Sequence, residues 1–144
     1  CFSKGLGAPV GSVLIGNAAF IRKARRIRKV FGGGMRQAGY LAAACLFALE
    51  NNIDRLAVDH QHAQQMASVL SNLPWIKEVL PCETNILIFT IDETQTSVET
   101  VLSYLKEHGI LAVQFGKHQI RLVTHLDISS EMIEKVCEVL KSYQ

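Results

Sequence analysis

The hydrophobic pattern changes near Trp75, and this change constrains the fold more than any other feature of the 144-residue chain. Before Trp75, apolar residues recur mostly at spacings of three and four, which predicts helices. After it, short apolar runs predict strands, and two amphipathic segments predict further helices. The predicted helices cover residues 18–30, 37–51, 53–73, 97–108 and 129–142. The predicted strands cover residues 12–15, 76–80, 85–91, 111–114 and 119–124. Helices followed by a small mixed sheet with flanking helices indicate an α/β or α+β layered fold.

Local signals set the expected ends of these helices. Asn17 is placed to cap the first helix, and the glycine triplet 32–34 would end it, because glycine carries a high entropic cost inside a helix. Thr96 and Glu99 stand at the spacing of a capping box before the fourth helix. The second helix is almost wholly apolar over residues 41–49, and we therefore predict that it is buried.

Composition indicates a globular protein that can bury a core, with 49% apolar and 19% charged residues. No apolar run approaches the roughly 18 to 20 residues of a membrane-spanning helix, and no signal-peptide pattern is present, so we expect a cytoplasmic protein with no membrane partner. The four cysteines lack the paired spacings of zinc sites and small disulfide frameworks. We interpret them as reduced and mostly structural, and we predict no metal site.

A basic segment runs from Arg22 to Lys29 and holds six of the fifteen lysines and arginines, although the formal net charge is only +2. Charge runs of this kind are usually a solvated helix face. A nucleic-acid-binding helix is an alternative, but no aromatic residues interleave with the cations and no helix-turn-helix or zinc pattern accompanies them. We therefore predict no nucleic-acid partner.

Lys4 stands in a glycine-punctuated segment, Ser-Lys-Gly-Leu-Gly-Ala-Pro, where other groups can approach the backbone closely. A lysine there could form an imine with an aldehyde, provided that its amine is neutral part of the time. Residue type alone favours an ordinary solvated lysine.

Arg121 lies inside an apolar segment, Ile-Arg-Leu-Val, where an arginine without a partner would carry a large desolvation cost. Two interpretations are equally supported by the residues alone. The arginine either binds a ligand carboxylate or forms a buried ion pair with Asp127 or a glutamate.

Several motifs along the chain together carry a family resemblance. They are Ser-Lys-Gly-Leu-Gly-Ala-Pro-Val-Gly-Ser at 3–12, Arg28-Lys29, Gly-Gly-Gly-Met-Arg-Gln-Ala-Gly at 32–39, Thr84-Asn85, and Arg-Leu-Val-Thr-His-Leu-Asp at 121–127. In this order they resemble the low-specificity threonine aldolases, members of the fold type I, aspartate-aminotransferase-like enzymes that use pyridoxal phosphate.

The resemblance implies roles for four residues. Lys4 would form the imine with pyridoxal 5'-phosphate, and Arg121 would bind the carboxylate of a β-hydroxy amino acid substrate. Lys29 and Arg36 resemble positions near the cofactor phosphate and the contact between subunits. The implied reaction is retro-aldol cleavage of L-threonine or L-allo-threonine to glycine and acetaldehyde, by a homotetramer.

The resemblance also implies a domain organisation. Residues 1–52 would form the end of a large cofactor-binding domain, and residues 53–144 would form a small carboxy-terminal domain. The ring-stacking histidine, the aspartate that pairs with the pyridine nitrogen and a further arginine lie upstream of the lysine in the family. We therefore expect this chain to be a carboxy-terminal portion that is inactive alone.

Three alternatives stay open. One is a related β-eliminating lyase or a serine-directed aldolase on the same fold. Another is an oligomerisation remnant that has lost its chemistry, and the third is the nucleic-acid binder considered above.

Overall fold

The computed structural model describes residues 1–143. The chain divides into two compact units, Cys1–Asp54 and Arg55–Gln144. The first unit contains helices α1 (Ala18–Val30) and α2 (Gly39–Asn51). The helices of the second unit are α3 (Leu56–Leu70), α4 (Val98–Glu107) and α5 (Ser130–Ser142). Its strands are β1 (Ile76–Val79), β2 (Ile86–Ile91), β3 (Val113–Gly116) and β4 (Gln119–Val123). None of the described helices is long and apolar enough to cross a membrane.

The second unit is a two-layer arrangement of one sheet and three helices. Its strands are antiparallel in the order β1-β2-β4-β3. Alternate residues of β2 and β4, such as Phe89 and Ile120, are fully buried and join one hydrophobic core with Leu70, Leu105 and Leu140 of the three helices. The helices therefore cover one face of the sheet, which confirms the predicted α/β fold class.

The opposite face of the sheet carries Arg121 of β4. In the antiparallel register, Arg121 lies across from Ile88 of β2 and from Val113 of β3. Residues directly opposite each other in a sheet share a face, so these three side chains lie on the face that the helices leave uncovered. Val113 is exposed, and Ile88 and Arg121 are half-buried.

Side-chain caps begin three of the helices. Asn17 Oδ1 accepts a hydrogen bond from Phe20 N at 2.9 Å, as predicted for α1. Ser97, and not Thr96, caps α4, because the Ser97 hydroxyl accepts from Thr100 N at 3.1 Å while the Thr96 hydroxyl is hydrogen-bonded to the Tyr143 hydroxyl. The capping-box prediction was therefore one residue too early.

Three further predictions of structure are wrong. Residues 12–15 form no strand, because no other described segment pairs with them, and Val13, Leu14 and Ile15 are exposed. Helix α2 is not buried, since Ala48 is its only buried residue among those described. Strand β3 begins at Val113 and not at Leu111, because residues 111 and 112 have no strand partner in the described chain.

A buried polar group ties the start of α3 to the end of β4. Asp59 is fully buried and paired with Arg55 one turn earlier. The hydroxyl of the buried Thr124 donates to the backbone oxygen of Asp59 at 2.7 Å, and Asn85 Nδ2 donates to the backbone oxygen of Thr124 at 2.7 Å. The strand that carries Arg121 is thus held at its end by hydrogen bonds to α3 and to the segment before β2.

Candidate functional site

Lys4 lies at the tip of a closed loop in the first unit. Phe2 N donates to the backbone oxygen of Gly11 at 2.8 Å, and Ala8 N donates to the backbone oxygen of Phe2 at 3.0 Å, so the two ends of the loop are joined. Gly7 N donates to the backbone oxygen of Lys4 at 2.8 Å, which makes residues 4–7 a tight turn. Lys4 itself is exposed.

The base of this lysine loop is anchored on α2. Phe2 and Ala8 are buried against Ala48, and they form a small apolar cluster separate from the larger core. Cys45 Sγ donates to the backbone oxygen of Val10 at 3.3 Å, and Asn52 Nδ2 donates to the backbone oxygen of Leu6 at 2.8 Å. The loop is therefore held by packing and by side-chain hydrogen bonds from the middle of α2 and from its C-cap.

Gly11 shows why this segment needs glycine. Its φ is +139°, and a Cβ atom at this position would lie 2.8 Å from Cys45 Sγ. Both the backbone conformation and the close approach to α2 exclude a larger residue. The glycine-rich composition that accompanies Lys4 in the sequence thus serves to dock the lysine loop.

Lys29 lies at the end of α1, beside the glycine turn. Gly33 N donates to the backbone oxygen of Arg28 at 2.7 Å and Gly32 N donates to that of Lys29 at 3.0 Å, a Schellman motif with Gly32 at φ +82°. A Cβ atom on Gly34 would lie 2.7 Å from Lys29 Nζ. The Lys29 ammonium therefore lies against the backbone of the glycine turn, close to Gly34.

Arg36 is exposed and precedes a strained residue. Gln37 has φ +56°, the only positive φ among the described non-glycine residues. A left-handed conformation costs a non-glycine residue about 1 kcal/mol or more, and such residues cluster at functional sites. The strain at Gln37 could not be predicted from the sequence, because backbone strain leaves no mark on residue type when the residue is not glycine.

Arg121 has no carboxylate partner within the described chain. The ion pairs there join other groups, and Asp127 lies 3.4 Å from the Nδ1 atom of His125. Arg121 Nε is buried and has no hydrogen-bond acceptor among residues 1–143. Its guanidinium carbon instead lies 5.6 Å from the centre of the Phe115 ring. The ion pair with Asp127 that the sequence left open does not form.

A buried N–H without an acceptor is costly, so a water molecule or a ligand atom that accepts from Arg121 Nε is favourable. A planar guanidinium with free donors is suited to a carboxylate or phosphate group. The chemistry available at Arg121 is therefore binding of an anion.

The four predicted site residues fall into the two units. Lys4, Lys29 and Arg36 belong to the first unit, and Arg121 belongs to the second. No hydrogen bond joins Lys4 to Lys29 or Arg36 among the described residues. Across residues 1–143, no three His, Cys, Asp or Glu side chains cluster as metal ligands do.

Comparison with known proteins shows the family to which the chain belongs. The profile of the beta-eliminating lyase family matches residues 1–94, which is more than half of the chain. The chain belongs to the beta-eliminating lyase family. The matched range includes the lysine loop, the glycine turn and the first two strands of the sheet.

Curated relatives within this family are similar over most of the chain. Low-specificity L-threonine aldolase 1 of Arabidopsis thaliana is 42% identical over 132 residues, which cover 90% of this chain and 37% of the relative. The low specificity L-threonine aldolase of Escherichia coli strain K12 is 43% identical over 136 residues, which cover 94% of this chain and 39% of the relative. The chain thus spans about two fifths of the length of the curated relatives that it matches.

Solved structures with a similar fold support the same architecture. The NifS-like protein of Rickettsia africae superposes with a TM-score of 0.59 at 15% identity, over 75% of this chain and 35% of that one. The cystine C-S lyase C-DES superposes with a TM-score of 0.58 at 18% identity, over 72% of this chain and 28% of that one. The fold is that of the aspartate-aminotransferase-like enzymes, as predicted.

Phe115 is a residue of this family member that sequence reasoning missed. The strand predicted at 111–114 ended one residue before it. The available signal was its position next to Gly116, since an aromatic residue beside a glycine near a strand end is typical of a bulge or a tight hairpin.

Proposed function

We propose that this chain is part of a pyridoxal-phosphate-dependent aldehyde lyase, which cleaves L-threonine and L-allo-threonine to glycine and acetaldehyde. The single observation that carries the proposal is the lysine loop, in which an exposed lysine is presented by a closed and anchored turn. The printed names of the curated relatives, low-specificity L-threonine aldolases, supply the substrate class.

The residues present fit the cofactor chemically. The exposed amine of Lys4 is accessible to an aldehyde, and condensation with it requires the neutral amine. The cation of Lys29, held beside a glycine turn, suits a phosphate group, and the exposed Arg36 can add a second positive charge. Lys4 would hold pyridoxal phosphate covalently, while Lys29 and Arg36 would neutralise its phosphate, in the same subunit or in a neighbouring one.

Pyridoxal phosphate, when bound, supplies the electron sink for the charge that develops on Cα when the Cα–Cβ bond breaks. The chain's own residues would bind the substrate and orient it. Lys4 would hold the cofactor and release it to the amino group of the substrate, and Arg121 would bind the substrate carboxylate through its guanidinium, whose Nε has no acceptor in the described chain. Holding the carboxylate would fix the rotation of the substrate about its N–Cα bond, which decides which of the other bonds at Cα is cleaved.

The two units support a domain proposal. We assign residues 1–52 to the end of a large cofactor-binding domain and residues 53–144 to a small carboxy-terminal domain. The division of the structure at Asp54 and Arg55 supports this assignment, because domain boundaries fall where few contacts cross.

We also propose that the protein is a homotetramer and that it is located in the cytoplasm. Support for association comes from apolar side chains of the first unit that are exposed in the single chain. They are Val13, Leu14, Ile15, Phe31, Met35, Tyr40, Leu46 and Phe47. Support for a reducing compartment comes from the four cysteines, which are all free.

The experiment that tests the proposal is reductive trapping of the cofactor on the native protein. The protein is incubated with pyridoxal phosphate, reduced with borohydride and mapped by peptide mass spectrometry. We expect the label on Lys4 and its loss in Lys4→Ala. Lys117→Ala is the matched control, because Lys117 is equally an exposed lysine beside a glycine.

Substrate tests separate the alternatives. Release of acetaldehyde from L-threonine supports the aldolase, release of pyruvate and ammonia supports a β-eliminating lyase, and formaldehyde from L-serine supports a serine-directed aldolase. Label scattered over surface lysines, with no turnover of any of these substrates, would overturn the enzyme proposal in favour of an oligomerisation remnant.

A further inference from the structure

The hairpin of β3 and β4 contains an irregularity beside Arg121. Val113 pairs with Arg121 and Gln114 pairs with Ile120, but the next pair joins Gly116 to Gln119. Phe115 is therefore the extra residue of a β-bulge. Bulges re-aim a side chain and are over-represented at sheet edges and next to active sites.

This bulge lies on the edge strand of the sheet, where nothing in the described chain pairs with the outer side of β3. Gln114 Nε2 donates to the backbone oxygen of Gly116 at 3.1 Å. This hydrogen bond joins the residue before Phe115 to the residue after it. The conformation that aims Phe115 is thus stabilised within the hairpin itself.

The Phe115 ring is half exposed, with 54% of its surface accessible, and it faces the Arg121 guanidinium carbon at 5.6 Å. An aromatic face attracts a guanidinium, and it does so without using any of the guanidinium N–H donors. An acidic neighbour would hold the cation equally well but would occupy those donors and neutralise the charge. An aromatic partner therefore orients the arginine and leaves it free for a ligand.

We propose that Phe115 is a positioning residue that holds the Arg121 guanidinium ready to bind the substrate carboxylate. The inference rests on the proposed function, because it assigns to Arg121 the carboxylate of the amino acid substrate. The flexible arginine side chain loses its rotational freedom against the ring before the substrate arrives, so less is lost on binding.

The test compares Phe115→Leu with Phe115→Tyr in the native protein. Leucine keeps an apolar side chain but has no aromatic face, whereas tyrosine keeps the ring. Removing the cation–π contact should raise the KM for L-threonine about two- to fivefold at nearly unchanged kcat. The tyrosine variant should retain the wild-type KM, and thermal unfolding of both variants checks that the hairpin still folds.

A second measurement does not depend on turnover. Arginine side chains are labelled with ¹⁵N, and the Arg121 Nε–H resonance is assigned from its absence in Arg121→Ala. Ring currents of Phe115 should shift this resonance, so Phe115→Leu should move it and Phe115→Tyr should not. Titration with glycine should perturb the same resonance, at a two- to fivefold higher concentration in Phe115→Leu.

The outcomes separate the two proposals. If the wild type cleaves threonine, and Phe115→Leu binds glycine and threonine as the wild type does, the role of Phe115 is overturned while the enzyme proposal stands. If glycine perturbs Arg121 in the expected order without any cleavage, Phe115 keeps its role and the aldolase proposal is overturned. If glycine leaves the Arg121 resonance unchanged in the wild type, Arg121 does not bind the carboxylate, and the role proposed for Phe115 is overturned.

Discussion

Arg121 combines a half-buried position, a buried Nε without an acceptor in the described chain and an aromatic neighbour. Its fork of donors can form paired hydrogen bonds with a carboxylate, which the single ammonium of lysine cannot match. We expect Arg121→Ala to lower kcat/KM for L-threonine by about 10- to 100-fold, because charge-assisted hydrogen bonds contribute about 1.5–3 kcal/mol. Arg121→Lys should fall between the wild type and the alanine variant. Equal kinetics of wild type and Arg121→Ala would contradict the assignment.

Cys137 is a thiol whose surroundings control its reactivity. Burial in the core raises the pKa of Cys137, and burial likewise raises the pKa of the half-buried Cys82. A raised pKa means less thiolate at a given pH, and the thiolate is the reactive form. With iodoacetamide near neutral pH, we expect the exposed Cys1 to be alkylated first and Cys137 last, as followed by peptide mass spectrometry. Raising the pH should accelerate Cys82 before Cys137, and rapid labelling of Cys137 in the folded protein would show that the α5 core is open.

Helix α4 depends on its capping serine. The Ser97 hydroxyl accepts from Thr100 N, which is one of the amide groups that the helix itself leaves unpaired. We expect Ser97→Ala to lower the free energy of unfolding by about 1 kcal/mol in urea denaturation. Ser103→Ala, in the middle of the same helix and without a described hydrogen bond from its hydroxyl, is the control and should change stability by less than about 0.5 kcal/mol. Equal effects of the two substitutions would show that the cap contributes nothing.

At the scale of the whole molecule, the two units differ in how much apolar surface they bury. The second unit has a continuous core on one sheet face, whereas the first unit buries little beyond Phe2, Ala8 and Ala48. Helix α2 exposes Leu46 and Phe47, and an exposed apolar helix face is typical of an interface. The first unit is therefore where we place association between copies.

Light scattering after size-exclusion chromatography measures this association. We expect the wild type to elute as a tetramer and Phe47→Glu to shift toward smaller species, because a charge on an apolar interface is costly to desolvate. Leu111→Glu changes an even more exposed apolar residue of the second unit and should leave the mass unchanged. A wild type that remains monomeric at all concentrations would contradict the oligomer proposal.

The candidate site could be predicted from the sequence only in part. Arg121 stands out because an arginine lies within an apolar strand, and Lys4 stands out through the glycine-punctuated motif that carries the family resemblance. Phe115 and Gln37 do not stand out, because a bulge and a positive φ are consequences of strand pairing and chain direction. Residue types and motifs therefore indicate candidate groups for binding and chemistry, but not the residues that hold those groups in place.

The sequence by itself determined the number and type of nearly all the elements, since hydrophobic period and caps act over a few neighbouring residues. It also determined the family through its ordered motifs. Only the tertiary structure decided that residues 12–15 have no strand partner among residues 1–143, that α2 is largely exposed and that Arg121 faces Phe115 and not Asp127. The physical reason is that strand pairing, burial and ion pairing each depend on which distant residue lies opposite. Local sequence does not contain that information.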